Sequence, residues 1–432
     1  MRVATRCLAL TLATSISCIV SIAHADILGA SFGPNFADGS VPRFEDDGTP
    51  IPGAGIPQFS AGIGLPGGVT IGPDGNIYVA TLDGQTGTGE VLFFDGDTLA
   101  PLPSPHENGR DGLFGPMPFN PPAEPGGDPV APSPARLKFG PDGNLYVADM
   151  AGSSVRIFDG ETGALQPNIN LNGFSGPTGL TFGPDGALYV GNFNTASIDR
   201  VVGGVKTTFV APSTSPMYTP SSMIFLSTGD MIVVDLIGNQ LLKFNSSGVY
   251  VPSFDEEMNP VPFAVIPPPI PTPLPPGANF RTNSPSDIVF DADGNLLVSV
   301  LGITYPPTTP GAILRYDLEG NLLETVVQDV LGVTSLAWIP AEGAVPGDYN
   351  SDGNVNQADY TKWRADFGKW VAKGGGADGN GDGVVNAADY AVWRDHYTPA
   401  VAIGTAVPEP TTGVLALIAL LGWHAMSRWK TK

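Results

Sequence analysis

The sequence contains little cysteine and little positive charge. Its two cysteines, Cys7 and Cys18, both lie within the first 25 residues. Without that segment the chain has no thiol, which excludes a cysteine nucleophile and a fold held by disulfides. Only 20 Lys and Arg accompany 42 Asp and Glu, and the formal net charge is −22. Because so acidic a chain repels phosphate groups, nucleic acid and anionic lipid are excluded as partners.

Signals of catalysis are also scarce. The chain has four His, no Gly-x-Ser-x-Gly elbow and no phosphate-binding loop. A carboxylate pair for glycoside hydrolysis stays open, since acidic residues are plentiful, but no spacing singles one out. These absences favour a binding or scaffold protein over an enzyme.

Both ends of the chain have the pattern of targeting segments. Residues 1–25 combine Arg2 and Arg6, an apolar stretch and an Ala23-His24-Ala25 cleavage site, which predicts a secretory signal peptide. A retained membrane anchor is the alternative, but the apolar stretch is short. We therefore expect an exported protein.

At the other end, Pro408, Glu409 and Pro410 precede an apolar run at 413–426 and a basic terminus. The run is shorter than the ~20 residues of a comfortable membrane span. Residues 407–432, after a linker at 399–406, resemble the PEP-CTERM sorting signal. The resemblance implies an exosortase-type membrane protease as partner, membrane contact through this tail alone, and delivery to the cell surface or matrix.

A strand–turn–strand sequence motif recurs between these ends. Three copies read Ile/Phe-Gly-Pro-Asp-Gly-x-x-Tyr-Val, and two are looser; they begin at Ile71, Phe139, Phe182, Phe225 and Phe290. A second hairpin follows each copy, and four strands every forty-odd residues are typical of a propeller blade. Residues 334–339 supply one strand of a further blade, which 27–52 would complete. We predict a mainly β, six-bladed propeller over 26–342, with five blades as the lesser alternative.

Two Pro- and Gly-rich insertions, 101–134 and 256–285, interrupt this period. They are interpreted as surface loops, the second in extended polyproline conformation. The alternative is a binding rim over one face of the ring that displays Phe114, Phe119, Phe263 and Phe280.

Asp149, Asn192 and Asp235 each lie ten residues after the leading Phe of their repeat. The repeats resemble NHL repeats and, more loosely, the SMP-30/gluconolactonase propellers. The lactonase resemblance implies a catalytic metal held by these three residues in the central channel. The NHL resemblance implies instead that they tie the turn between strands, which is the favoured interpretation.

Near the C-terminus one acidic loop occurs twice, thirty residues apart. Oxygen-bearing residues at loop positions 1, 3, 5, 7, 9 and 12, with Gly at position 6, match a calcium loop of EF-hand type. At position 7 the ligand would be the main-chain carbonyl. The predicted ligands of two Ca²⁺ ions are Asp348, Asn350, Asp352, Asn354, Asn356 and Asp359, then Asp378, Asn380, Asp382, Val384, Asn386 and Asp389.

Aromatic residues follow each loop with helical spacing, and we expect them to form a small core. They are Tyr360, Trp363 and Phe367, then Tyr390, Trp393 and Tyr397. Residues 346–398 resemble a type I dockerin, with a small α-helical pair of F-hand loops. The resemblance implies a cohesin-like partner, although the partner-selecting positions hold Gln357-Ala358 and Ala387-Ala388.

Together these patterns predict an exported calcium-binding scaffold. Its propeller would recognise an envelope polysaccharide or protein, and the paired loops would mediate assembly. The rival hypothesis is a lactonase-like or polysaccharide-degrading hydrolase with a metal in the channel.

Overall fold

The computed structural model describes residues 26–32, 39–57, 63–82, 88–107, 109–122, 127–166, 171–267, 281–282, 284–301, 303–304, 311–330, 332–339 and 345–397. The predicted signal peptide, the linker, the sorting segment with Pro408, Glu409 and Pro410, and Phe280 lie outside these residues. Across the described ranges the strands form six four-stranded antiparallel sheets and two short two-stranded ones. The prediction of a six-bladed, mainly β propeller is confirmed.

The strands follow one another blade by blade. The chain begins with β1 (Asp26–Ser31), β2 (Val41–Glu45) and β3 (Pro50–Ile56). Blade 1 consists of β4 (Leu65–Ile71), β5 (Ile77–Leu82), β6 (Gly89–Phe94) and β7 (Leu113–Met117). Blade 2 consists of β8 (Pro134–Phe139), β9 (Leu145–Asp149), β10 (Ser154–Phe158) and β11 (Leu171–Asn172). Blade 3 consists of β12 (Pro177–Phe182), β13 (Leu188–Asn192), β14 (Ser197–Val202) and β15 (Val205–Val210).

The later blades contain small additions. Blade 4 has β16 (Pro220–Phe225), β17 (Met231–Asp235) and β18 (Gln240–Phe244); the hairpin β19 (Ser253–Phe254) and β20 (Pro260–Val261) precedes its last strand, β21 (Ala264–Val265). Strand β22 (Arg281–Thr282) pairs with β25 (Ile303–Thr304), and blade 5 has β23 (Pro285–Phe290), β24 (Leu296–Val300), β26 (Gly311–Tyr316) and β27 (Leu322–Val330). Strand β28 (Val333–Ile339) and two helices, α1 (Gln357–Asp366) and α2 (Ala387–His396), complete the set.

The sixth blade joins the two ends of the propeller. Its strand order is β28, β1, β2, β3, and Ile27 pairs with Trp338 while Asp26 pairs with Glu45. One C-terminal strand is thus completed by three N-terminal ones, as the sequence predicts. Pairing the termini leaves no open edge between first and last blades, which holds the ring closed.

The repeated sequence motif explains how neighbouring blades pack. In each close copy the Tyr hydroxyl donates to the Asp of its own turn, as in Tyr78 to Asp74 at 2.9 Å. The leading Phe of the next blade packs edge-on against that Tyr; the Tyr78 and Phe139 ring centroids are 4.9 Å apart. A Cβ at Gly72 would lie 2.5 and 2.6 Å from Asp74 and Tyr78 of its own turn, and 3.2 Å from the same Phe139 ring. The Gly therefore makes room first for its own turn and then for the adjacent blade.

The first insertion is more ordered than predicted. It supplies β7 as the fourth strand of blade 1, and Phe114 within it is buried in the core. Phe263 in the second insertion is buried as well, while Phe119 is exposed. The proposed rim was therefore wrong for Phe114 and Phe263, whose large apolar rings pack inward because that removes them from water.

Candidate functional site

Each acidic loop folds as a tight turn that leads into a helix. The Asp348 carboxylate accepts main-chain hydrogen bonds from Asp352 and Gly353 at 3.1 and 2.7 Å. The second loop repeats both contacts on Asp378 at the same distances. Gly353 and Gly383 have φ of 83° and 87°, a left-handed conformation that favours glycine. The residues at positions 1, 5 and 6 therefore form the same tight turn in both loops.

The last predicted ligand of each loop also starts its helix. Asp359 is fully buried and accepts main-chain hydrogen bonds from Tyr349, Asn350 and Asn356 at 2.8, 3.1 and 2.7 Å. Asn356 is the N-cap of α1 and accepts from the Ala358 N–H. This reciprocal capping box anchors the position-12 carboxylate at the positive end of the helix. Asp389 and Asn386 form the same box at α2.

The remaining predicted ligands lie on the same turns. At position 3 the Asn350 and Asn380 amides donate to Oδ2 of Asp352 and Asp382, at 3.0 and 2.8 Å. At position 7 the Asn354 and Val384 carbonyls accept from the side chains of Asn356 and Asn386, at 3.2 and 2.9 Å. Each loop therefore brings its own predicted ligands together.

The two loops are tied to each other by reciprocal contacts. The Trp363 indole of α1 donates to the Asn386 carbonyl of the second loop, and the Trp393 indole of α2 donates to the Asn356 carbonyl of the first, both at 2.8 Å. The Tyr349 hydroxyl adds a bond to the Asp389 carbonyl at 2.6 Å. We call residues 345–397 the paired-loop module.

The aromatic core of the module is smaller than predicted. Trp393 is buried and packs with the half-buried rings of Tyr360, Trp363 and Tyr390. The two aromatic residues that end the helices are exposed, with Phe367 at 56% and Tyr397 at 37%. They lie at the C-cap positions, where the chain leaves the helix and turns the rings toward solvent.

The carboxylate at position 1 of each loop lies in surroundings that disfavour its charged form. Burial, together with the carboxylates of Asp359 and Asp352, raises the pKa of Asp348 despite the two N–H groups it accepts. Burial and neighbouring Asp389 and Asp382 raise the pKa of Asp378 in the same way. In the described part of the chain, no three or more His, Cys, Asp or Glu side chains are grouped to hold a metal ion. An ion here would therefore depend on the Asn and main-chain oxygens as well.

The three predicted channel residues are held by their own blades. Asp149, fully buried, accepts from the main chain of Ser133 at 2.8 Å and pairs with Arg156 at 2.7 Å. Asn192 accepts from the Ser175 N–H at 2.9 Å. Asp235 accepts from the main chain of Tyr218, Thr219 and Gly238 and from the Gln240 amide. These contacts link the start of each blade to its second hairpin, and they support the turn-tying interpretation over a shared metal site.

Sequence reasoning missed an ion pair across the channel. Arg136 on β8 of blade 2 faces Asp287 on β23 of blade 5, with Nε and Oδ1 3.5 Å apart and both side chains buried. These blades are opposite one another in a ring of six. Asp287 also accepts from the hydroxyls of Ser222 and Ser335, each at 2.6 Å. The pair therefore crosses the axis of the ring.

A belt of hydroxyl hydrogen bonds surrounds this pair. Thr178 donates to Pro220 O, Ser221 to Ser286 O, Ser286 to Thr334 O, and Thr334 to Pro66 O. Each bond leads from one blade to the next, from blade 3 through blade 6 to blade 1. Polar contacts among the described residues thus connect the inner strands of these blades around the channel.

The paired-loop module packs on the propeller. The Ala372 N–H donates to the Asp291 carbonyl in the first turn of blade 5 at 3.0 Å. Trp370 and Ala372 pack against the apolar clusters of the propeller. Main-chain bonds join the same segment to the second loop, Val371 N–H to Gly383 O at 3.0 Å and Val385 N–H to Lys369 O at 2.9 Å. The second loop is therefore coupled directly to the docked segment.

No family model matches the sequence. No curated protein matches it either. Several solved structures are similar to parts of the chain. A protein of unknown function from Bacteroides caccae is 15% identical, with TM-score 0.46 over 73% of this chain and 99% of that chain. Regucalcin from Agrobacterium tumefaciens, a calcium-binding protein, is 20% identical with TM-score 0.40 over 63% and 77%. Virginiamycin B lyase from Staphylococcus aureus is 16% identical with TM-score 0.38 over 60% and 68%. None of these likenesses is high enough to transfer a function.

Among the described residues, no helix has the length and apolar character needed to cross a bilayer.

Proposed function

We propose that the chain is an exported, non-enzymatic scaffold protein whose propeller presents a recognition surface and whose paired-loop module binds two Ca²⁺ ions. The observation that carries the proposal is the duplicated loop geometry, with Asp348 and Asp378 held by Gly N–H groups and Asp359 and Asp389 in capping boxes. Calcium would neutralise the carboxylates that face one another within each loop.

The same module supports an assembly role that resembles that of type I dockerins. Its partner-selecting positions, Gln357-Ala358 and Ala387-Ala388, are exposed. A cohesin-like protein would therefore have access to them while the module stays docked on the propeller. Three of these positions hold Ala and one holds Gln, with no hydroxyl among them, so we expect a partner surface that differs from that of standard cohesins.

Export and sorting complete the proposal. The signal-peptide pattern of residues 1–25 and the tail at 407–432 support delivery to the cell surface or matrix after recognition of Pro408, Glu409 and Pro410 by an exosortase-type protease. The absence of cysteine after Cys18 leaves calcium and packing to stabilise the protein outside the cell.

A channel hydrolase is the weaker hypothesis. Its predicted metal ligands Asp149, Asn192 and Asp235 all accept hydrogen bonds within their blades. A lactonase assay with added divalent cations tests it, and turnover that Asp149→Ala abolishes would restore it.

A glycan array and an envelope-protein pull-down, each run with the full chain in CaCl₂ and in EDTA, test the recognition role. We expect calcium-dependent capture of an envelope glycan or protein. Failure to capture either in both conditions would contradict the scaffold function.

A further inference from the structure

A recess of about 610 Å³ lies between the propeller and the paired-loop module. Its floor is formed where the innermost strands end, around Thr70, Lys138, Thr181 and Ile224, and the module contributes Trp370 and Val384. This volume lies in the range of sites that enclose a small organic molecule. The recess is not on the channel side that holds Asp149, Asn192 and Asp235, because those residues end the second strand of each blade, away from the first turns.

Aromatic rings form part of the walls. A leading ring comes from each of five blades and one from the module: Phe139, Phe182, Phe225, Phe290, Trp338 and Trp370. In the close repeats the leading Phe lies between two blades, where it packs against the Tyr of the preceding repeat. Flat apolar walls favour a ligand with a planar, apolar body.

One charged group in the recess, the Lys138 ammonium, has no anion in direct contact. No hydrogen bond or ion pair joins it to any residue that the structure describes. The Lys138 side chain is half-buried and lines the recess. The nearby carboxylate of Asp287 is already bound by Arg136, Ser222 and Ser335. An unpaired cation removed from bulk water is costly unless an anion accompanies it.

We propose that this recess binds a small organic carboxylate with a planar apolar body, and that Lys138 is its counter-ion. Burial lowers the pKa of Lys138, with Arg136 and Lys373 acting in the same direction against the opposing effect of Asp287. A bound carboxylate would favour the charged form of Lys138 and so oppose this lowering of its pKa. Lys373 at the module side of the recess adds a second positive group. Asp382 and Val384 of the second loop also form part of its wall.

Titration calorimetry of the full chain with 2-naphthoate tests the proposal. We expect one site per chain, at least tenfold weaker binding of neutral 2-naphthamide, and weaker binding of glucuronate, whose body is hydroxylated. Lys138→Met should reduce naphthoate affinity at least tenfold and leave the naphthamide affinity unchanged. Lys243→Met, a lysine paired with Asp230 on blade 4, is the matched control and should bind as the wild type.

The stability of Lys138→Met provides a second readout. The substitution keeps a long side chain, and it removes both a half-buried charge and the attraction of that charge to Asp287. The melting temperature should therefore change little, so that a loss of naphthoate binding reflects the site and not unfolding. Thr181→Phe, which fills the recess from blade 3, should also abolish naphthoate binding. The proposal is overturned if naphthoate does not bind, if naphthamide or glucuronate binds equally well, or if Lys138→Met binds like the wild type.

Discussion

Arg136 and Asp287 meet across the axis of the ring, from blades 2 and 5, with Nε and Oδ1 3.5 Å apart. The Arg136 guanidinium also donates to Gly67 O at 2.7 Å and to Ser286 O at 2.6 Å. One side chain thereby connects three blades. The pair lies across the channel, so a substrate could not pass along it without separating this buried ion pair.

Removing one partner of this pair should destabilise the propeller strongly. Arg136→Met would leave the Asp287 carboxylate buried without its cation, at a cost of about 3–5 kcal/mol. Denaturant unfolding monitored by tryptophan fluorescence measures the change. Arg136→Met combined with Asp287→Leu should cost less than Arg136→Met alone, since no charge is stranded. A loss below about 1 kcal/mol in Arg136→Met would show that the pair is unimportant for the fold.

The same pair makes stability depend on pH at the acid end. Although burial opposes it, the charges of Arg136 and Lys138 hold the pKa of Asp287 below its ordinary 3.8. An acid with a depressed folded pKa stabilises the protein above its unfolded pKa, and this contribution is lost as pH falls through the folded pKa. Unfolding free energies measured from pH 5 to pH 2 should fall less steeply in Asp287→Asn than in the wild type. Parallel slopes would contradict this.

The paired-loop module should be stabilised by calcium. At a free calcium concentration ~100 times the dissociation constant, each site would add about 2.7 kcal/mol. Melting of the full chain in CaCl₂ and in EDTA measures the shift. Asp395→Ala, which removes an exposed carboxylate of α2 outside both loops, is the control and should keep the full shift. A melting curve that EDTA leaves unmoved would count against calcium binding.

The crossed tryptophan bonds predict an effect at a distance. Trp393→Phe removes the N–H that Asn356 O accepts, so a substitution on α2 should weaken calcium binding in the first loop. A lost hydrogen bond of about 1 kcal/mol corresponds to roughly fivefold weaker binding. Trp363→Phe should weaken the second loop instead. Calorimetry on each variant, made in an Asp348→Ala or Asp378→Ala background, measures calcium binding at one loop at a time. Weaker binding at the loop that precedes the substituted helix, instead of at the other loop, would contradict the prediction.

Docking of the module should depend on Trp370. This half-buried ring packs against two apolar clusters of the propeller. Trp370→Ala should cost about 2 kcal/mol, less than the ~3–5 kcal/mol of a fully buried tryptophan. It should also split thermal unfolding into two transitions. Phe367→Ala removes a largely exposed ring three residues earlier that contacts Trp363 but not the propeller clusters. It should cost at most about 1 kcal/mol and leave a single transition. A single unchanged transition in Trp370→Ala would show that docking rests on other contacts.

The sequence predicts the blades well because their signals are local. One turn is formed by Gly72, Asp74 and Tyr78, which fall within seven residues, so a repeated sequence motif is enough to identify it. Closure by the N-terminal strands follows from counting incomplete repeats. The two acidic loops are also local, and each folds as a tight turn that leads into a helix.

Contacts between distant segments escaped prediction. Arg136 and Asp287 are far apart in sequence, and nothing in either repeat distinguishes them from other polar residues of the inner strands. Phe114 lies in a Pro- and Gly-rich segment typical of a loop, yet burial of its ring draws the segment into blade 1. Trp370 docks on the propeller through contacts between distant segments of the chain. No periodic pattern in the sequence indicates these contacts.

Calorimetric titration of the metal-free full chain with CaCl₂ is the most direct test of the account. We predict two bound ions per chain in the wild type and one in each of Asp348→Ala and Asp378→Ala. Absence of binding heat at several temperatures, or two ions still bound after Asp378→Ala, would contradict the assignment of the paired loops.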